Sequence, residues 1–310
     1  MMSDILWFLE PLDYGFIQRA LVVATVTAVI AGVLSCWLVL IGWSLMGDAV
    51  SHAVLPGVVV SYILGWPFAI GALVAALLAV GMVGAVGQRT TLKGDTAIGV
   101  IFTALFALGL VLVSVTPAGT NLQEILFGNL LGISRESMVQ VLLFGAVALV
   151  TMLVMRRSIT AWAFDPEHAR VIGMRTGAVR WTVMVCLALV VVASMQAVGV
   201  ILVVALLITP GATAYLLTRR IGRMMLIAPA VAWASSVAGI WLSFYRDISA
   251  GGTIVLVQAG VFLLAYLFAP REGLVTGMLR GRGARGVTSP SRRRPRRSGA
   301  PVPSGTSRPR

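Results

Sequence analysis

Gly47-Asp48-Ala49-Val50-Ser51-His52-Ala53-Val54-Leu55-Pro56-Gly57 places a carboxylate and an imidazole four residues apart inside a long apolar region. On a helix, that spacing puts both side chains on one face, about one turn apart. A carboxylate and a neutral imidazole meeting on one face form half of a site for a divalent metal. The competing reading is a helix-end Asp and a buried His satisfied by backbone partners. Ionisable side chains are costly in membrane segments and mark pathways where they occur. Pro56 comes one turn after His52, so a helix break is expected there, with Gly57 beside it.

The surroundings of this stretch define the class of protein. Of 310 residues, 58% are hydrophobic and 11% charged. Soluble domains carry roughly 25% charged residues. The chain therefore reads as a polytopic membrane protein with one integral domain. Its formal charge of +13 is unevenly placed. Residues 271–310 contain eleven Arg and one Glu, net +10, and the other 270 residues contain thirteen basic and ten acidic groups, net +3. Cys36 and Cys186 lie in apolar runs and read as small core residues. The start, residues 1–14, contains Asp4, Glu10 and Asp13 with no basic n-region, so the first membrane helix is expected to direct targeting.

Apolar spans fall near 16–41, 49–64, 67–86, 96–116, 138–155, 181–208, 211–218, 225–244 and 253–269. A crossing helix needs about 20 apolar residues. The fold expected is all-α, a polytopic bundle of about eight to nine transmembrane helices over residues 15–270. Gly and Pro interrupt the shorter spans, at Pro56-Gly57 and Pro210-Gly211, as in broken helices that line cavities. Basic clusters mark cytoplasmic loops. They are Arg89 with Lys93, the loop 156–180, Arg219 with Arg220 and Arg223, and the tail. Trp43 falls inside if 49–64 and 67–86 are separate crossings, and outside if they form one broken crossing.

Three further stretches carry polar chemistry. In the loop 156–180, Asp165 can N-cap a short helix, Pro166 suits its first position, Glu167 its positive end, and Gly173 its end. A simple connector would look the same, and His168 reads as a surface residue. Glu124 lies in the outer stretch 119–128, where a solvated loop competes with contact to an arriving cation. The tail, 271–310, is rich in Arg, Pro and Ser. It is expected to be disordered, cytoplasmic and attracted to anionic lipid, with no aromatic interleaving to favour nucleic acid.

Absent motifs narrow the function. There is no G-x-x-x-x-G-K-[ST], so no P-loop ATP hydrolysis is expected on this chain. H-E-x-x-H and G-x-S-x-G are missing too, which lowers a zinc protease or a serine hydrolase.

The stretch Gly47 to Gly57 resembles the signature of the ABC-type metal-uptake permeases of the zinc, manganese and iron class. The resemblance continues through Leu126-Phe127-Gly128, Phe164-Asp165-Pro166-Glu167-His168-Ala169, Val198-Gly199-Val200-Ile201-Leu202, Ala205 to Ala214 and Ser249 to Val255. It spans about residues 15–270. It implies a type II-like importer permease in the inner (plasma) membrane, a homodimer with its path at the dimer interface. A separate ATPase subunit docks below and an extracytoplasmic metal-binding protein above. It implies that Asp48 and His52 meet the transported divalent metal ion, with no intrinsic cofactor. The segment Asp165, Pro166, Glu167, Ala169, Arg170 and Gly173 becomes the helix that couples to the ATPase, and Pro56, Gly57 and Pro210 the breaks of gate helices. The family often has Pro where this chain has Ser249. The outer stretch 120–128 looks more like manganese and iron members than zinc ones.

Two other classes are weighed against this. A permease for chelated metal or vitamin needs no ion-ligand pair in its path, so His52 weighs against it. An ion-coupled secondary transporter needs inverted repeats and several mid-membrane carboxylates, and Asp48 is the one acid well inside an apolar stretch.

Overall fold

Apolar side chains spread around whole helices, with charges confined to their ends, fold as a bundle that buries its centre and leaves its rim to lipid. The computed structural model describes residues 10–89, 94–116 and 132–269. Glu124 and the tail 271–310 lie outside them. After a short 3₁₀ turn at Glu10–Asp13 come α1 (Gly15–Ile41), α2 (Ser44–Ala53), α3 (Leu55–Leu64), α4 (Phe68–Arg89) and α5 (Gly94–Val115). They are followed by α6 (Arg135–Val154), α7 (Arg156–Phe164), α8 (Pro166–Val171) and α9 (Thr176–Val198). The last three are α10 (Val200–Leu217), α11 (Ile221–Arg246) and α12 (Ala250–Phe268).

Among the described residues, nine spans are long and apolar enough to cross a membrane, with α2 and α3 together forming one of 21 residues. The molecule is an all-α, multi-pass membrane bundle. Helices α1 and α9 run through its centre, and α5, α6 and α12 expose most of their surface. Helix α1 packs against α6, α9, α10 and α11, so it is the pillar of the fold.

Small residues bring the helices together. A methyl group on Gly57 would overlap the Gly71 carbonyl, which locks α3 against α4. One on Gly32 would come 2.8 Å from the Pro229 Cα, and one on Gly239 2.6 Å from the Ile254 Cα. Lipid tails are as apolar as these side chains, so close backbone approach rather than hydrophobic transfer drives such contacts.

Two expected breaks need correction. Pro210 does not break its helix: α10 runs through it from Val200 to Leu217. A proline cannot donate to the carbonyl four residues back, and its ring crowds the preceding turn. Here Ser35 on α1 intervenes. Its hydroxyl donates to the Ile208 carbonyl at 3.3 Å and accepts the Gly211 N–H at 2.9 Å. Leaving that buried N–H without an acceptor would cost about 1–3 kcal/mol. The break expected near 210 lies instead at Gly199, between α9 and α10, where φ is 81° and ψ 161°. Only glycine adopts that conformation readily.

Gly57 is likewise a contact glycine inside α3, not the break itself. The discontinuity falls at Val54, between α2 and α3. Pro56 accounts for it, because its nitrogen cannot donate to the carbonyl of His52.

The turn before α2 sits at the end of the bundle that carries α7 and α8. The Trp43 and Trp162 rings meet edge to face at 5.6 Å, and the Arg180 guanidinium lies 5.6 Å over Trp43. Trp37 Nε1 donates to Thr160 Oγ1 at 3.1 Å. The Gly65 turn separates α3 from α4, so these are two crossings and not one broken one. At the opposite end, Tyr14 meets Phe244 at 5.7 Å. Asp48 therefore lies about 6 Å along the axis from the start of α2, at 1.5 Å per residue, and His52 about 12 Å.

Candidate metal path

Helix α2 is short and packs against α5, α10, α9 and α4. Gly47 allows the approach to α10, since a Cβ there would come 2.9 Å from Leu207 Cδ1. Asp48 and His52 leave α2 on the same side, as their spacing requires. His52 Nε2 lies 3.4 Å from Asp48 Oδ1, and the side chains are 28% and 39% exposed respectively. Both side chains are thus partly exposed. Ser51 takes no part. It is buried, and its hydroxyl donates to the Gly47 carbonyl at 2.7 Å.

The pair stands alone as a donor set. Among the described residues no group of three or more His, Cys, Asp and Glu side chains comes together. Two ligands leave most of a metal's coordination sphere to water or to another chain. That is too little for a structural centre and suits an ion in transit.

Sequence reasoning missed two residues at this site. Phe102 and Phe106 of α5 lie against His52, with ring centroids at 5.4 Å and 5.3 Å. The sequence signal is a Phe pair at i, i+4 on an apolar helix. A lipid-facing helix would show the same pattern.

The second predicted segment forms as its residues require. Asp165 caps α8: its Oδ1 accepts the His168 N–H at 2.9 Å. Pro166 follows as the first helical residue. The helix ends in a Schellman pattern, with Gly173 at φ 81°, its N–H on the Arg170 carbonyl and the Met174 N–H on the Ala169 carbonyl. Glu167 and Arg170 pair at 3.2 Å on the exposed side. Ala169 is fully buried, so it anchors α8 to the body instead of facing outward. The outward face adds residues that the motif alone did not mark. Phe164, Val171 and Ile172 are 60%, 83% and 57% exposed. His168 is exposed as well.

At the other end of the bundle, Ser249 N-caps α12, its hydroxyl accepting the Gly252 N–H at 3.4 Å. A proline there could not make this side-chain cap.

The described residues thus form a multi-pass membrane bundle with a partly exposed carboxylate–imidazole pair on one helix and a capped helix at one end. Comparison with known proteins agrees. The model of the ABC 3 transport family matches residues 13–269, and the chain belongs to that family. It is 44% identical to the manganese transport system membrane protein MntB of Synechocystis, over 87% of this chain and 88% of that one. It is also 44% identical to the chelated iron transport system membrane protein YfeD of Yersinia pestis, over 84% of this chain and 87% of that one. The solved structure of PsaBC from Streptococcus pneumoniae in complex with Fab superposes with a TM-score of 0.78 at 37% identity, covering 91% of this chain and all of that one.

Proposed function

We propose that this chain is the permease subunit of an ATP-driven importer for a divalent transition metal, manganese or ferrous iron, and that Asp48 and His52 meet the ion as it passes. The observation that carries this is the carboxylate–imidazole pair, 3.4 Å apart and accessible on one face of a membrane helix. Carboxylate suits manganese, and imidazole suits iron and zinc, so the pair accepts the whole class without demanding one member. The names of the relatives favour manganese and iron.

The mechanism follows from the incompleteness of the pair. An extracytoplasmic metal-binding protein delivers the ion at the Gly65 and Ser249 end. The ion exchanges water for Asp48 Oδ and His52 Nε2, and a second copy of the chain in a homodimer doubles the donors to four. Few ligands mean that the ion leaves again. The end carrying Trp43, α7 and α8 is cytoplasmic by its basic residues, Arg156, Arg157, Arg170, Arg175, Arg219, Arg220 and Arg223. The tail 271–310 follows α12 on that side, with its eleven Arg near anionic lipid. There α8, with Asp165, Pro166, Glu167, Arg170 and Gly173 shaping it and Val171 and Ile172 outermost, seats against an ATPase subunit. Nucleotide binding on that partner rocks the permease halves between outward and inward access.

The test is uptake of radiolabelled manganese, iron and zinc into cells carrying the permease with its ATPase and binding protein. Saturable uptake of manganese or iron that is lost in Asp48→Ala and His52→Ala is the expected result. Full uptake in both variants, or transport of a chelate in place of the free ion, would overturn the proposal.

A further inference from the structure

The His52 ring is unusually placed for a histidine expected to meet a metal. Its Nε2 faces Asp48, while its Nδ1 is buried and has no hydrogen-bond partner among the described residues. Histidines that bind metals nearly always donate the other ring N–H to a carboxylate or a carbonyl, which fixes the ring and raises its basicity. Here two phenyl rings lie beside it. Phe102 is inclined at 52° to the imidazole and Phe106 stands at 78°. The two phenyl rings stack on each other at 6.0 Å, 26° apart. Positions 102, 106 and 109 share one face of α5. Gly109 on that face lets α5 close onto α3, because a Cβ there would come 2.9 Å from Leu55 Cδ2.

We propose that Phe102 and Phe106 are positioning residues for the transported ion. They hold the His52 imidazole in one orientation without giving Nδ1 an acceptor, so Nε2 is a fixed but weakly donating ligand. This rests on the reading of Asp48 and His52 as contacts for the cargo. Aromatic walls restrict the ring by shape, and Phe106 adds an edge-to-face attraction. They supply no lone pair, so orientation is gained without added basicity. A carboxylate in their place would tighten the ion and slow its release.

The experiment uses the assembled transporter with its ATPase and binding protein, reconstituted in liposomes. The variants are Phe102→Leu, Phe106→Leu, the volume-conserving Phe106→Met, the ring-preserving Phe102→Tyr and Phe106→Tyr, and His52→Ala. Two quantities are read: the manganese concentration at half-maximal uptake, and the imidazole nitrogen signals of ¹⁵N-histidine-labelled protein. The chain has two histidines, so His168→Ala assigns the spectrum. The Leu and Met variants are expected to raise the half-maximal concentration about tenfold. They are also expected to average the His52 signals as the ring reorients. The Tyr variants should keep both near the parent values. Leu and Met variants with parental half-saturation and an unchanged spectrum would overturn the inference. A fall in maximal rate alone, in step with the amount of folded transporter, would do the same, as would Tyr variants no better than Leu. His52→Ala with undiminished uptake overturns the metal-path reading itself. An inactive His52→Ala beside parental Phe variants overturns only the positioning role.

Discussion

The chain contains two histidines, and each has an aspartate close before it. Asp48 and His52 are four apart in α2, and Asp165 and His168 are three apart at the start of α8. The pairs look alike in sequence and do opposite things. In α2 both residues are inside the helix, so both side chains leave the same face and the carboxylate meets the imidazole at 3.4 Å. At α8 the aspartate is the N-cap, outside the helical geometry. Its carboxylate turns back to the His168 backbone N–H at 2.9 Å, and the exposed imidazole takes no part in that bond. One pair presents two side chains to each other on one helical face, and the other is punctuation that starts a helix. Two residue types at similar spacing acquire their roles from where the helix begins.

The largest expected effect separates the pairs outright. Asp48→Ala and His52→Ala each reduce metal uptake to background, while the amount of assembled transporter in the membrane is unchanged. Uptake assays alongside quantitative detection of the complex check both halves of that statement.

Next in size is the exposed side of α8. Replacing Glu167 and Arg170 together by Ala is expected to uncouple ATP hydrolysis from transport, with manganese binding to the permease retained. Stimulation of the ATPase by the loaded binding protein is the measurement, and unchanged stimulation would make the loop a plain connector.

Asp165→Ala tests the punctuation. Losing an N-cap costs about 1 kcal/mol of helix stability. The expected readout is faster backbone hydrogen exchange over residues 167–171, with partial loss of coupling. Asp165→Asn and Asp165→Ser, which also cap, restore both.

The smallest effect belongs to His168→Ala. Uptake, coupling and thermal stability are expected to stay at parental levels, since exposed substitutions away from special features lie within about 0.5 kcal/mol. A loss of uptake in this variant comparable to that of His52→Ala would collapse the distinction between the pairs.

Much of this was legible beforehand, for reasons that particular residues make plain. The N-cap, first-turn proline and terminal glycine of α8 are local signals, and α8 runs between them as expected. The shared face of Asp48 and His52 follows from helical periodicity alone. Pro210 was misread because the repair of its helix comes from Ser35, 175 positions away in the chain. The actual break at Gly199 was passed over because a glycine in an apolar run has no mark until its backbone angles are known. That Ala169 is the buried residue of its segment follows from the packing of α8 against α7 and α9, which no local signal shows.

By itself, then, the amino-acid sequence determined what depends on composition and near neighbours. It determined an all-α membrane protein, most of its apolar spans, the caps of α8, and a carboxylate and an imidazole on one helical face. Only the tertiary structure decided what depends on distant neighbours. It decided that Trp43 shares an end with α7 and α8, that Ser35 carries α10 past Pro210, and that Phe102 and Phe106 enclose the ring of His52. The physical reason is the membrane itself. Lipid-facing and protein-facing helix surfaces are equally apolar, so hydropathy finds the helices but cannot say which face meets which.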